Sequence, residues 1–317
     1  MSLAFIVCYV IAMPVVSAAD AGGEKWTYLL DRDLSHFDTW LGTPHASVEG
    51  LPEGTPQSSN IRDGTPLGLN NDPTQVFSVI EKDDDLLLRI SGEIYGSLIT
   101  KEPYDDYHLS LWKKWGDKKW APRLQMPKNS GILYHSHGEH GAAANAWMAS
   151  FEFQGMTGNK GDLITVAGSG AAYVRGRMED AGNRRWVRYD SSSEEHFRVR
   201  GRAMGDSYPE KPHGEWNKLD LYTFGSTSVH VVNGKVVLVV EDAIKSDGTP
   251  LNKGQIQFQS EGAECFFKEI KISPFVGLPP EIEEQIKLGF KTCNLPGKSS
   301  KTSRDFVLRY FFPNWSL

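Results

Sequence analysis

Trp147-Met-Ala-Ser-Phe-Glu-Phe-Gln154 alternates with period two. In a strand this puts Trp147, Ala149, Phe151 and Phe153 on one side and Met148, Ser150, Glu152 and Gln154 on the other. The apolar side suits a core. The other side carries a carboxylate and an amide two residues apart, about 7 Å along a strand. Just upstream, Pro127-Lys-Asn-Ser-Gly-Ile-Leu-Tyr-His-Ser-His137 leads into a second strand with His135 and His137 on one face. Two neighbouring strands then offer acid, amide and imidazole groups to a common space, and residues 127–162 become the centre of the chain.

Working outward, the same period recurs. Tyr107, Leu109, Leu111 and Trp115 share one side of a strand, and His108, Ser110, Trp112 and Lys114 the other. Asn233-Gly234 between the runs 228–232 and 235–240 predicts a type I′ hairpin. Ile256 and Phe258 alternate with Gln255, Gln257 and Gln259. Further strands are expected at 75–80, 86–90, 96–100, 217–224 and 265–272. Residues 38–73 read as surface loops. Residues 175–215 mix Arg, Glu, Asp, Ser and Gly without clear period and are expected as long loops, either a lid over a cleft or a plain surface insertion. Pro280 at the start, acids in the first turn and Gly289 as a stop predict one short helix. Roughly ten to twelve short strands and almost no helix in 24–274 make the chain all-β, a sandwich or jelly roll.

The chain has 317 residues, with 34 Lys and Arg against 40 Asp and Glu, a net charge of -6. This argues against nucleic-acid binding, which needs a basic surface. Residues 1–19 are apolar and end Ser17-Ala18-Ala19, as a secretory signal does; Pro14 and the shortness of the run count against the alternative, an N-terminal membrane anchor. The expected division is a signal peptide at 1–19, a sandwich domain at 20–274 and an extension at 275–317, in a secreted or periplasmic protein with no stable membrane span after cleavage. Cleavage removes Cys8. A disulfide between Cys265 and Cys293 is left open by their spacing. No oligomeric state follows from the sequence.

Each candidate motif has a plain competitor. Glu152 and Gln154 supply the directional acceptors and donors that sugars need, yet they equally suit the polar outer face of an antiparallel sheet. Asn129-Ser130-Gly131 is by itself a turn signal. His135-Ser-His137-Gly-Glu-His140 approaches a zinc hydrolase motif, but the further ligands such a site requires are not evident among His196, His213 and His230. No metal or cofactor is expected, with a structural calcium left open. Trp112, Trp115, Trp120 and Trp147 are candidates to stack on sugar rings, or else core and rim residues.

Taken in order, several short motifs form a series: Gly96-Ser-Leu-Ile-Thr100, Tyr104-Asp-Asp-Tyr-His-Leu109, Asn129-Ser-Gly-Ile132, Glu152-Phe-Gln154, Gly214-Glu-Trp-Asn217, Val231-Val-Asn-Gly234, Gly254-Gln-Ile-Gln257, Glu261-Gly262 and Phe267-Lys-Glu-Ile-Lys-Ile-Ser-Pro274. The series resembles the 3-keto-disaccharide hydrolase family over residues 24–274. The resemblance implies a concanavalin A-like jelly roll with a concave sugar-binding face. It also implies cleavage of glycosides oxidised to a ketone at C3, with Asn129, Ser130, Gly131, Glu152 and Gln154 lining the cleft. His135 and His137 stand where many members have Arg, and residues 167–215 and the tail depart from the family's form.

A C3 ketone disfavours an oxocarbenium ion but acidifies the C2 proton, so loss of that proton expels the C1 substituent and water then adds. This assigns Glu152 as base or acid and His135 as its counterpart. Asn129, Gln154 and Lys101 become oxygen contacts, and Ser130, Tyr104, His137, Asp162 and Trp112 line the substrate. The expected partner is a carbohydrate or glycoside. A non-catalytic carbohydrate-binding module of the same fold is the alternative.

Overall fold

In the computed structural model, which describes residues 25–288 apart from 84, alternating apolar residues become strands stacked in two layers. The front layer runs, by hydrogen-bonded neighbours, β3 (Gly68–Leu69), β2 (Phe37–Leu41), β6 (Gly96–Thr100), β19 (Lys253–Ser260), β9 (Ile132–His137), β10 (Ala149–Phe153), β11 (Leu163–Val166), β15 (Arg202–Met204), β13 (Arg184–Tyr189) and β12 (Gly170–Ala181). Short β7 (Tyr104–Asp105) joins β19, and β14 (His196–Val199) joins β12. The back layer runs β4 (Phe77–Lys82), β5 (Asp85–Ile90), β20 (Ala263–Pro274), β8 (Tyr107–Lys119), β16 (Asn217–Phe224), β17 (Thr227–Val232) and β18 (Lys235–Lys245), with β1 (Thr27–Tyr28) on β20. Pairing of β12 with β18 joins the layers at one side. This is a jelly-roll sandwich, and only β13 and β15 pair in parallel.

The main core lies between the layers. Phe151 and Phe153 of β10 are fully buried there, and the Phe153 ring stacks on His230 of β17 at 4.4 Å. Phe258 of β19 meets Phe267 of β20 at 5.4 Å. Tyr134 spans the gap, its hydroxyl within 2.8 Å of Ser228 Oγ and 3.0 Å of His230 Nε2. The hairpin at Asn233-Gly234 has both residues at positive φ, 50° and 77°, as a type I′ turn requires. Helix α1 (Pro280–Leu288) docks on this hairpin. Ile282 and Ile286 are buried, and Gln285 donates to the Gly234 carbonyl and accepts from the Val236 amide, each at 2.9 Å. Among the described residues no helix is long and apolar enough to cross a membrane.

Two expectations need correction. Residues 175–204, expected as loops, carry strands β12 to β15, while 205–215 contain no strand. Their apolar period is present in Val174, Val187, Tyr189 and Val199, all buried. It is masked in sequence by the cross-strand ion pairs Arg188–Glu179 at 2.6 Å, Arg177–Asp190 at 2.9 Å and Arg185–Asp180 at 3.0 Å on the outside. Strands β2 and β3 likewise fall within 38–73, expected as surface loops, and with the two-residue β1 and β7 the count among the described residues reaches twenty. The second correction concerns Trp147. Trp147 lies before β10, in an isolated bridge with Ala143, so the alternation of the strand does not reach it and it leaves the side of Phe151 and Phe153. It joins a second, smaller cluster with Ile61, Tyr95, Leu133, Ala146 and Val166. That cluster covers part of the front layer's outer face. Residues 1–19, expected as a signal peptide, and Cys293, the candidate disulfide partner, lie outside the described residues; Cys265 is a buried free thiol.

Candidate functional site

Glu152 lies opposite Leu133 of β9 and Ile164 of β11, so its side chain leaves the sheet on the outer face, away from Phe151 and Phe153. It is only 4% exposed, and its Oε1 has no hydrogen-bond partner among the described residues. Burial lifts its carboxyl to about 8, with the nearby Glu261 charge pushing the same way and Lys113 and Arg123 opposing. At neutral pH Glu152 therefore holds its proton. Gly131 makes room for it: a Cβ there would come within 2.4 Å of Glu152 Oε1 and 2.9 Å of Gln259 Oε1.

A second carboxyl completes the cluster. Glu261 accepts from Arg123 Nη1 at 2.9 Å and from the Asn129 amide at 2.7 Å. Burial raises its carboxyl, and the Arg123 guanidinium and the Asn129 amide offset that only in part. The two acids thus differ in environment: one is unpaired and protonated, the other is ion-paired with a cation. Beside them opens a cavity of about 340 Å³, walled by Tyr95, Trp147, Ile61, Arg62, Arg123 and Glu261 among others. Asn129 Oδ1 and Arg123 Nε are also buried without partners among the described residues. Unpaired buried polar atoms are costly; of these three residues Arg123 belongs to the cavity wall, while Glu152 and Asn129 lie buried behind it.

Below the cluster Lys113 reaches across from β8, buried, and donates to the Ser130 carbonyl and, at 3.4 Å, to that of Gly155. Its ammonium lies 4.0 Å from the Trp115 ring centroid. Burial, helped by the like charge of Lys160, lowers Lys113 to about 7. It ties together the chain ends from which β9 starts and β10 leaves, and so fixes the strands that carry Gly131 and Glu152.

Residues 25–273 match the family described as the 3-keto-alpha-glucoside-1,2-lyase-like domain. The chain belongs to this family. No curated protein matches the chain. Among solved structures, a protein assigned as a glycosyl hydrolase from Parabacteroides distasonis ATCC 8503 is similar at 17% identity, with 78% of this chain and 98% of that one covered and a TM-score of 0.42. LamAcat from Zobellia galactanivorans is similar at 12% identity, with 75% and 91% covered and a TM-score of 0.37. The carbohydrate-binding module CBM66 from Bacillus subtilis is similar at 8% identity, with 62% and 91% covered and a TM-score of 0.32.

Of the residues singled out in the lyase-like domain's sequence, Asn129, Ser130 and Glu152 come together. Asn129 does so through Glu261, while the Ser130 hydroxyl donates to the Gln259 carbonyl at 2.8 Å and is wholly buried. Gln154 serves its own turn, its amide oxygen accepting from the Met156 N–H at 2.9 Å. Asp162, expected to line the substrate, is not in the cavity wall. It is fully buried, ion-paired to Arg202, and accepts from the Gly205 amide at 2.8 Å and the Tyr208 hydroxyl at 2.9 Å, which suits a structural clamp.

His135 is not the counterpart of Glu152. It sits at a register shift with φ of 51°, two residues along β9 from Leu133, which faces Glu152. Burial and the neighbouring His137 hold its imidazole at about 3, hence neutral. His137 does not share a regular face with it, because the bulge breaks the period; its ring nitrogen bonds the His135 carbonyl at 2.9 Å. Lys101 donates to the Ser35 carbonyl at 2.8 Å at an exposed edge, and Tyr104 packs on Tyr107 at 6.1 Å. Both lie at the β6–β7 end, away from the Glu261 cavity. Trp112 is on the outer face of the back layer, under Lys218, and cannot line this site. Among the described residues no three His, Cys, Asp or Glu could hold a metal. The residues missed were Arg123, Lys113, Tyr95 and Glu261. The last stood in the family motif Glu261-Gly262, and an acid beside a positive-φ glycine was its signal.

Proposed function

We propose that this chain cleaves 3-keto-glycosides by elimination across C1 and C2, with a carbohydrate substrate in the Glu261 cavity. The observation that carries the reading is the divided pair of carboxyls: Glu152 neutral and unpaired, Glu261 ion-paired. Two acids pushed apart in this way suit one donor and one acceptor of protons. In the reaction, Glu261 takes the proton from C2, whose acidity comes from the C3 ketone. Electrons move to the ketone oxygen, and the unpaired Arg123 Nε donates to that developing enolate. The enolate re-forms the ketone with a C1–C2 double bond as the C1–O bond breaks, and Glu152 supplies the proton that the leaving oxygen needs. Addition of water across the double bond then completes net hydrolysis. Tyr95 and Trp147 offer ring faces to the sugar. Side chains carry each proton transfer, and no cofactor enters these steps.

The test is release of the aglycone from a 3-keto-glucoside, with the ordinary glucoside as control. The reading expects cleavage of the ketone alone, and its loss by more than about a hundredfold in Glu261→Gln. Full activity in that variant ends the assignment. The rival, a binder without catalysis, is favoured by the low exposure of Glu152 at 4%; sugar binding with no turnover of the ketone would establish it. We further place the protein outside the cytoplasm by way of residues 1–19, which N-terminal sequencing of secreted protein checks: a mature start just after Ala19 is expected, an intact Met1 is not.

A further inference from the structure

A second, larger cavity of about 600 Å³ lies on the other side of Met126, a residue that lines both. Its size is that of an ordinary small-ligand site. Its walls include Trp115, Tyr208 and the cations Lys119, Lys128 and Lys211. The carboxylate among them, Glu210, is already occupied by Lys160 at 3.2 Å and by the Gly158 amide at 3.0 Å. At the rim, His213 is matched by Asp117 at 3.0 Å. Lys119 and Lys128 each donate to one carbonyl, of Leu124 and Gly116, and keep further N–H donors. The Trp115 indole N–H is buried with no partner among the described residues. Three lysines thus face the space with no carboxylate in the lining left to neutralise them, beside an indole ring.

We infer that this cavity is a second subsite that takes a sugar carrying an anionic group, a uronic acid residue. The inference rests on the carbohydrate reading of the neighbouring site, since Met126 connects the two and a substrate of two or more sugar rings would span them. An aromatic wall suits the sugar's C–H face, and clustered lysines suit its carboxylate.

Binding measured by calorimetry tests this without any need for turnover, so failure of the proposed cleavage leaves the result readable. A disaccharide ending in glucuronate is compared with the same disaccharide ending in glucose, using the whole protein. The acidic sugar should bind roughly tenfold more tightly at low salt, with the advantage shrinking as salt rises. The variant Lys128→Gln/Lys211→Gln should lose the preference for the acidic sugar; Lys211→Glu, at an exposed position, should lose it in part with an unchanged melting temperature. Equal binding of the two sugars overturns the inference. So does inorganic sulfate binding as tightly as the glucuronide, which would mark a general anion patch instead of a sugar subsite.

Discussion

Replacing Glu152 with Gln tests the electrostatics of the site directly. The carboxyl stands at about 8 in the folded chain against 4.5 ordinarily, because burial disfavours its charge. Between those values the folded state holds a proton that the unfolded state has released, so folding stability falls as pH rises. The slope is about 1.4 kcal/mol per pH unit, which between pH 5 and pH 7 amounts to about 2–3 kcal/mol. Lys113, held at about 7 instead of 10.5, acts in the opposite sense but only from pH 7 upward, and the buried His135 and His230, lowered to about 3 and 4, titrate in both proteins and cancel in the difference. Glutamine has the same shape and no charge to lose. Urea unfolding of both proteins from pH 5 to pH 7 should show the variant gaining on the wild type by that amount. Two curves running parallel across the window would mean that Glu152 titrates normally and is not the neutral acid described.

Three further outcomes follow from the contacts. Arg123→Met leaves Glu261 buried without its cation and should cost about 3–5 kcal/mol in urea unfolding; a loss under about 1 kcal/mol would mean that solvent already neutralises Glu261. Gly131→Ala forces a methyl to within 2.4 Å of Glu152 Oε1 and should destabilise by about 1–3 kcal/mol by the same assay; an unchanged midpoint would show that the carboxyl is free to swing aside. Lys113→Met removes the ammonium with the lowered value, so the rise in wild-type stability expected from pH 7 to pH 10 should flatten in the variant; a rise that persists would assign it to another group.

The sandwich was legible because Phe151, Phe153, Ile256 and Phe258 follow a strict period and Asn233-Gly234 fixes a turn. The strands between 170 and 204 were hidden because their outer faces carry paired Arg and acid residues, which read as loop composition. In the site, Glu152 and Asn129 could be seen from alternation and motif. Its second carboxyl appeared only inside the Glu261-Gly262 motif and could not be placed beside Glu152, since Glu261 comes from more than a hundred residues away and meets Asn129 through an isolated bridge. His135 and Trp147 misled for different reasons: a bulge in β9 turns the histidine, and Trp147 sits before β10, in a bridge with Ala143, where the strand period does not apply.

The central claim is proton removal at C2 of a ketone-bearing sugar. A 3-keto-glucoside incubated with the protein in heavy water, with the product followed by mass spectrometry and NMR, should carry deuterium at C2. Cleavage with C2 still fully protonated would contradict elimination and point to displacement at C1 instead.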